Sequence, residues 1–358
     1  ASGDERNSQG EWILGSLYRA MPASEANYWS CPVAPHPTDK NVALGQAEGD
    51  NVTKTTDGGI NWRYSSSGYH GMAVATNHGF SWDMTNPSRY AMFFGDVGPY
   101  LTEDDGQTFR SLRIPPGTDN AISSPSGAIS PTQPNTIITA SGNWNNQRLF
   151  ITRNANAAWP TWNSVPNTRE VFYGAILFHP SNGNVAYADR YRFDNMQTND
   201  RHSELPRSIH AMHPGNGDIV YSVDSATAYT RVWKSTDGGF TWTNPYPDVP
   251  HASINILHRH VVAAPDDPDK IYIPFRTIGL VILTRTSYSL RNETHGLSKS
   301  DLPYNTVDTS RVTIDPRNPN IVYTAYDLSY IGQSNGIFRS TDGGNSWTSI
   351  LFNLGDRF

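Results

Sequence analysis

An all-β, seven-bladed β-propeller follows from three features of the sequence: a turn motif that occurs four times, a Pro-containing turn that occurs seven times, and a composition rich in Gly, Pro and aromatic residues. The first motif places a hydroxyl residue before Asp, Gly and, shortly after, an aromatic ring. Its copies are Thr55-Thr56-Asp57-Gly58-Gly59-Ile60-Asn61-Trp62, Thr102-Glu103-Asp104-Asp105-Gly106-Gln107-Thr108-Phe109, Ser235-Thr236-Asp237-Gly238-Gly239-Phe240-Thr241-Trp242 and Ser340-Thr341-Asp342-Gly343-Gly344-Asn345-Ser346-Trp347. An Asp side chain can accept backbone N–H bonds inside a hairpin turn, Gly can take a positive φ, and the ring can pack between blades. These Asp residues are therefore read as structural.

The second motif counts the blades. It lies between apolar strands at His36-Pro37, Asn86-Pro87, Ser130-Pro131, His179-Pro180, His213-Pro214, Ala264-Pro265 and Asp315-Pro316. The spacing of the Asp motifs agrees: Asp57 to Asp104 spans one repeat, Asp104 to Asp237 three, and Asp237 to Asp342 two. The whole chain, 1–358, reads as a single propeller with blades near 28–66, 78–114, 126–166, 173–206, 208–246, 258–294 and 309–353. The Asp motif is degraded near 152–162 and 284–290 and absent around 192–204. The stretch 11–18 is expected to pair with or pack beside the last blade, removing an open edge. His36, His179 and His213 are read as turn residues, not ligands.

Composition narrows the function. Of 358 residues, 37% are hydrophobic and 17% charged, with 29 Gly, 25 Pro and 10 Trp, a mixture suited to many short strands and tight turns. The net charge of -6 provides no basic footprint for nucleic acid. Cys31 is the only cysteine, which excludes an intramolecular disulfide and a cysteine-based metal site. No apolar run is long enough for a membrane-spanning helix, so no membrane insertion is expected. Asn51-Val52-Thr53 and Asn292-Glu293-Thr294 are glycosylation sequons. The expected location is secreted or cell-surface.

In a blade of four strands, the Pro turn joins the first strand to the second, and the Asp turn joins the third to the fourth. Both turns then share one face. The opposite, funnel face gathers the starts of the innermost strands and the ends of the second strands. Its candidates are Trp29, His70 and His78, Trp144, Tyr173 with Arg190, Tyr191 and Arg192, His210, His251, His258, His260 and Arg276, and Tyr330. Aromatic faces there can stack on sugar rings, so the expected partner is a polysaccharide or other glycan. Tyr173 and Arg190 are brought together by one hairpin. With His78 from one side and His251 from the other, they suit β-elimination at a uronic acid: Arg neutralises the carboxylate, and Tyr or His moves the proton.

The Asp motif resembles the Asp-box, or BNR repeat. In order and spacing, the His, Tyr, Arg and downstream His resemble the ulvan lyases and rhamnose–glucuronate lyases. That resemblance implies Tyr173 as catalytic acid/base, Arg190 as carboxylate neutraliser, and His78 and His251 as partners. Tyr191 with Arg207 is a competing pair, His70 competes with His78, and His258 or His260 with His251. No cofactor is required, and a structural Ca2+ on the axis is left open. The repeat is also similar to that of xyloglucanase-type and sialidase-type propellers. Two further readings therefore stand: a glycoside hydrolase, which needs two carboxyl groups across the scissile bond, and a non-catalytic glycan-binding or adhesion module.

Overall fold

The computed structural model describes residues 33–47, 51–58, 60, 63–64, 79–94, 98–112, 114, 123–143, 146–168, 175–225, 229–250, 261–275, 279–290, 308–327 and 336–350. These residues form seven antiparallel sheets of four strands each, in simple sequential order, and contain no helix. The sheets span 33–64, 80–111, 123–164, 176–204, 211–250, 262–290 and 308–349. This is the seven-bladed propeller the repeats predict. Residues 11–18 lie outside the described residues.

Each sheet buries both faces against its neighbours. A second strand can therefore be a continuous apolar run rather than an alternating one. Tyr90–Phe94 and Ile271–Phe275 are buried at every position. Six apolar clusters fill six of the blade interfaces: Leu44 with Tyr90, Phe93 with Ile137, Ile138 with Ile176, Leu205 with Val220, Val223 with Ile273, and Tyr272 with Val322. The seventh closes the ring where the innermost strands of blades 1 and 7 meet and the Arg317 guanidinium donates to the Thr38 carbonyl.

Both turn types lie on one face and are tied together. An N–H of the Asp turn donates to the last residues of the Pro turn at Gly58–Asn41, Asp105–Ser88, Gly238–Asp218 and Gly343–Asn320. Within the turn, Asp237 accepts from the N–H groups of Phe240 and Thr241 at 3.1 and 2.9 Å and from the Ser235 hydroxyl at 2.7 Å. Asp342 repeats this with Asn345, Ser346 and Ser340, and these bonds hold its carboxyl far below the usual range. Positive φ falls on the residue after the Asp as well as on the next Gly, and Asp105 adopts it at 62°. In the degraded copy of blade 3, Asn154 takes the Asp role, accepting from the Thr152 hydroxyl and the Thr161 N–H at 2.9 Å each.

One register differs from the sequence reading. In blade 2 the residue equivalent to His36 is Asp83, not Asn86. His36 and Asp83 both close a seven-residue loop with an N–H···O bond, to Val42 and Arg89. Pro87 thus sits at the second proline position of a Pro-x-x-Pro loop, like Pro134, Pro268 and Pro319, and Met84 replaces the first proline.

The head of this loop needs an acceptor for its own backbone. Asp83 accepts from the Thr85 and Asn86 N–H groups, and Asp315 from Arg317. His36 does the same through Nδ1 from Thr38 and Asp39, and His213 from Gly215. Burial pushes both imidazoles below 6.5. The groups facing His36 are Asp105, Asp39 and Lys54, and those facing His213 are Lys234, Asp267 and Asp266. A native pKa below the unfolded one favours the neutral ring, so this stability is complete above pH 6.5 and is lost as pH falls below it. The melting temperature is expected to drop between pH 7.5 and pH 5. His213→Asp, which borrows the acceptor of blades 2 and 7, should flatten that dependence. An unchanged slope in the variant contradicts the assignment.

Candidate functional site

On the funnel face the best-described region joins blades 4 and 5. In blade 4 the second strand, Asn182–Ala188, turns through Asp189 and Arg190 into the third, Tyr191–Phe193. Asp189 takes φ 54°, a conformation that Asp tolerates at the first position of a tight hairpin. Its N–H donates to the Ala175 carbonyl, which brings the start of the innermost strand beside Arg190. The chain leaving the outermost strand, His202–Glu204, folds back over the same turn: Leu205 N–H donates to Arg190 O and Ile209 N–H to Asp189 O, each at 2.8 Å. This return carries Arg207 onto the rim before the chain enters blade 5.

Of the predicted site residues, Arg190, Tyr191, Arg192 and His210 are described. Tyr173, His78, His251, Trp29, His70, Trp144, His258, His260, Arg276 and Tyr330 lie outside the described residues. Arg190 is on the rim, where its guanidinium meets Glu204 at 3.0 Å. Three expectations are corrected. Tyr191 packs in the core between blades 3 and 4 with 9% exposure, so it offers no stacking face and the Tyr191–Arg207 pair is not formed as a site. Arg192 reaches the opposite face, donating to the Tyr187 hydroxyl at 2.8 Å and to the Gly238 carbonyl of blade 5 at 2.9 Å. His210 is 5% exposed, and its Nδ1 accepts from the Val223 N–H at 3.0 Å, which buttresses the inner strands.

The Tyr187–Arg192 contact also bears on the chemistry. A nearby cation alone would lower a tyrosine pKa, yet burial outweighs it here and Tyr187 is pushed up to about 12.

Blade 5 adds Asp224, Arg231, Trp233 and Asp248, which the sequence reading passed over. Its second strand, Asn216–Ser225, sets Asp224 opposite Arg231 of the third strand, Tyr229–Ser235. Arg231 forms a two-pronged pair with Asp248, at 2.8 and 2.6 Å. That pair lowers the Asp248 pKa and raises that of Arg231. Asp224 Oδ2 accepts from Arg207 Nη1 and from Trp233 Nε1, both at 2.7 Å. Arg207 lies over the Trp233 ring at 3.8 Å, and Arg231 over the Tyr229 ring at 5.0 Å. The signal for these residues is the alternation Tyr229-x-Arg231-x-Trp233, which puts three aromatic or charged side chains on one side of a strand. Among the described residues no group of three or more His, Cys, Asp or Glu could hold a metal.

No protein-family model matches the chain, and no curated protein matches it. Solved structures do. An ancestral GH74 enzyme is 14% identical with a TM-score of 0.58, over 92% of this chain and 47% of that one. The GH74 xyloglucanase from Xanthomonas campestris is 14% identical, over 90% and 45% of the two chains, with a TM-score of 0.48. YCF48 bound to a D1 peptide is 14% identical, over 93% and 87%, with a TM-score of 0.40. At these identities the likeness to the ancestral enzyme is one of fold. The chain spans about half the length of the GH74 structures it matches.

Proposed function

We propose that this chain is a carbohydrate-active propeller of the glycoside-hydrolase type and that it takes a neutral polysaccharide on the rim of blades 4 and 5. The observation that carries the reading is charge matching. On the described rim of blades 4 and 5, Arg190 pairs with Glu204, Arg207 with Asp224 and Arg231 with Asp248. Such a rim supplies hydrogen-bond donors and acceptors for hydroxyl groups without a net positive field to concentrate uronates. The fold shared with a GH74 enzyme supports the same reaction class.

Hydrolysis needs one carboxyl to protonate the leaving oxygen and a second that stays ionised. Asp248, held ionised by Arg231, suits only the second role. We place Asp189 at the reaction centre: its Oδ1 is buried with no hydrogen-bond partner, and among the described residues no cation pairs with it. The elimination reading needs Tyr173, outside the described residues, beside Arg190; of that hairpin the described contact is the Asp189 N–H donated to the Ala175 carbonyl.

One assay separates the readings. The protein is incubated with xyloglucan, mixed-linkage β-glucan, ulvan and gum arabic, and both reducing ends and ultraviolet absorbance of an unsaturated product are followed. Hydrolysis gives reducing ends from the neutral polymers without absorbance, and Asp189→Asn should lower that rate by about 100-fold or more. Absorbance rising with ulvan overturns the hydrolase in favour of elimination through Tyr173 and Arg190. Retention of a polymer with neither signal makes the chain a glycan-binding module.

A further inference from the structure

We infer that the outer half of blade 5, as part of the rim proposed above, carries a sugar-docking platform built on Trp233, specific for neutral sugar rings with adjacent hydroxyls. The inference rests on the reading that the chain handles polysaccharide, but not on where or whether it cleaves one. Tyr229, Arg231 and Trp233 are the half-buried positions of a strand whose alternate residues Thr230, Val232 and Lys234 are buried. Their shared side is the one turned away from blade 6, since Val232 between them packs into the cluster of blades 5 and 6.

The chemistry of that side is specific. An indole usually needs a partner for its N–H, and here Asp224 supplies one at 2.7 Å, so the polar end of the ring is satisfied within the protein. The same Asp224 oxygen holds Arg207, whose guanidinium lies 3.8 Å from the ring centre, so the Asp, Arg and Trp are fixed by one another. Asp224 is 52% exposed, and among the described residues its Oδ1 has no hydrogen-bond partner. Arg207 is 26% exposed, with guanidinium N–H groups beyond the one donated to Asp224. A pair of adjacent sugar hydroxyls fits this arrangement: one donates to Asp224 Oδ1, its neighbour accepts from Arg207, and the C–H face of the ring rests along the indole edge and Tyr229.

Charge selects the ligand class. Arg207 and Asp224 cancel, and so do Arg231 and Asp248, so a sugar carboxylate gains no net attraction and meets Asp224 at close range. The platform is therefore expected to prefer neutral glycans, with retention insensitive to salt.

The test is affinity electrophoresis of the full chain in gels containing xyloglucan, mixed-linkage β-glucan or polygalacturonate. Wild-type protein should be retarded by at least one neutral polymer, equally at 50 and 500 mM salt, and not by polygalacturonate. Trp233→Ala should weaken that retardation about tenfold or more, whereas Trp233→Phe, which keeps an apolar ring but loses the N–H, should stay within about threefold. Thermal unfolding of each variant reports its folding. If Trp233→Ala misfolds, Arg207→Lys carries the test, since it keeps the charge but loses the flat stack and should weaken binding severalfold. Undiminished retardation of folded Trp233→Ala, retention by polygalacturonate alone, or retention by none of the polymers overturns the platform. Release of reducing ends by Trp233→Ala at the wild-type rate with unchanged retardation would leave the hydrolase standing and remove the platform. Trp233-dependent retention without any release would do the reverse.

Discussion

Arg89→Met is expected to destabilise the protein by about 3–5 kcal/mol. Arg89 ends the Pro-x-x-Pro loop of blade 2 and is almost wholly buried. It donates to Asp83 Oδ2 at 3.1 Å, to the Pro134 carbonyl of blade 3 at 2.7 Å, and to Glu103 at 3.3 Å. Methionine is shorter and uncharged, so it removes the hydrogen bonds while keeping an apolar side chain along the arginine stem. The cost arises from what remains: Asp83, 2% exposed, keeps its charge without a cation, and the Pro134 carbonyl loses its donor. Denaturant unfolding measures the loss. Because the penalty belongs to an orphaned charge, Arg89→Met combined with Asp83→Asn should recover part of it, and a single-variant loss under about 1 kcal/mol would show that the pair contributes little.

The blade count was legible because every blade must reverse direction with little chain, and such turns demand particular residues. Asp, Gly and Pro at fixed offsets encode backbone geometry directly, so seven Pro turns and four Asp turns announce seven units. What misleads is substitution by physical equivalence. Asp83 and His36 look unrelated as letters, but both present an acceptor to the next N–H groups. Asn154 replaces Asp in blade 3 because a carboxamide oxygen accepts as a carboxylate oxygen does. The proline at Pro87 then draws the eye three residues too far.

The rim was legible in part, for a different reason. Backbone pairing decides which residues reach an edge, so Arg190 at a tight turn could be placed on the rim. Where a long side chain goes from there depends on neighbours hundreds of atoms away in the chain. Arg192, two residues on, crosses to the turn face because Gly238 of the next blade exposes a carbonyl there. Tyr191, between them, points into the core by simple alternation. Trp233 is the converse case. Its alternation with Arg231 and Tyr229 was visible, but the carboxylates that fix the indole and Arg231, Asp224 and Asp248, come from other strands and loops.

Gly127→Val is the second large effect, and it concerns the same seam as Arg89 from the inside. Gly127 lies in the innermost strand of blade 3, Ser123–Ile129, directly against the Phe93 ring of blade 2. A Cβ at this position would sit 2.2 Å from Phe93 Cε1 and 2.5 Å from Cδ1 and Cζ, well inside any allowed contact. The obstacle is a rigid ring with no exposed surface, so it cannot swing into solvent. Either the ring leaves its rotamer or the two blades part. Overpacking of this kind costs about 1–3 kcal/mol for a single methyl, and valine adds two more carbons to the clash. Gly127→Ala is therefore expected to lose about 1–3 kcal/mol and Gly127→Val more than that, to the point of poor folding. Shrinking the ring gives the internal check. Phe93→Leu alone opens a void and destabilises, but with Gly127→Ala it makes room for the methyl, so the double variant should be more stable than the sum of the two single losses predicts. Strict additivity would mean that the two residues do not meet, and that the close approach of blades 2 and 3 is not what requires glycine here.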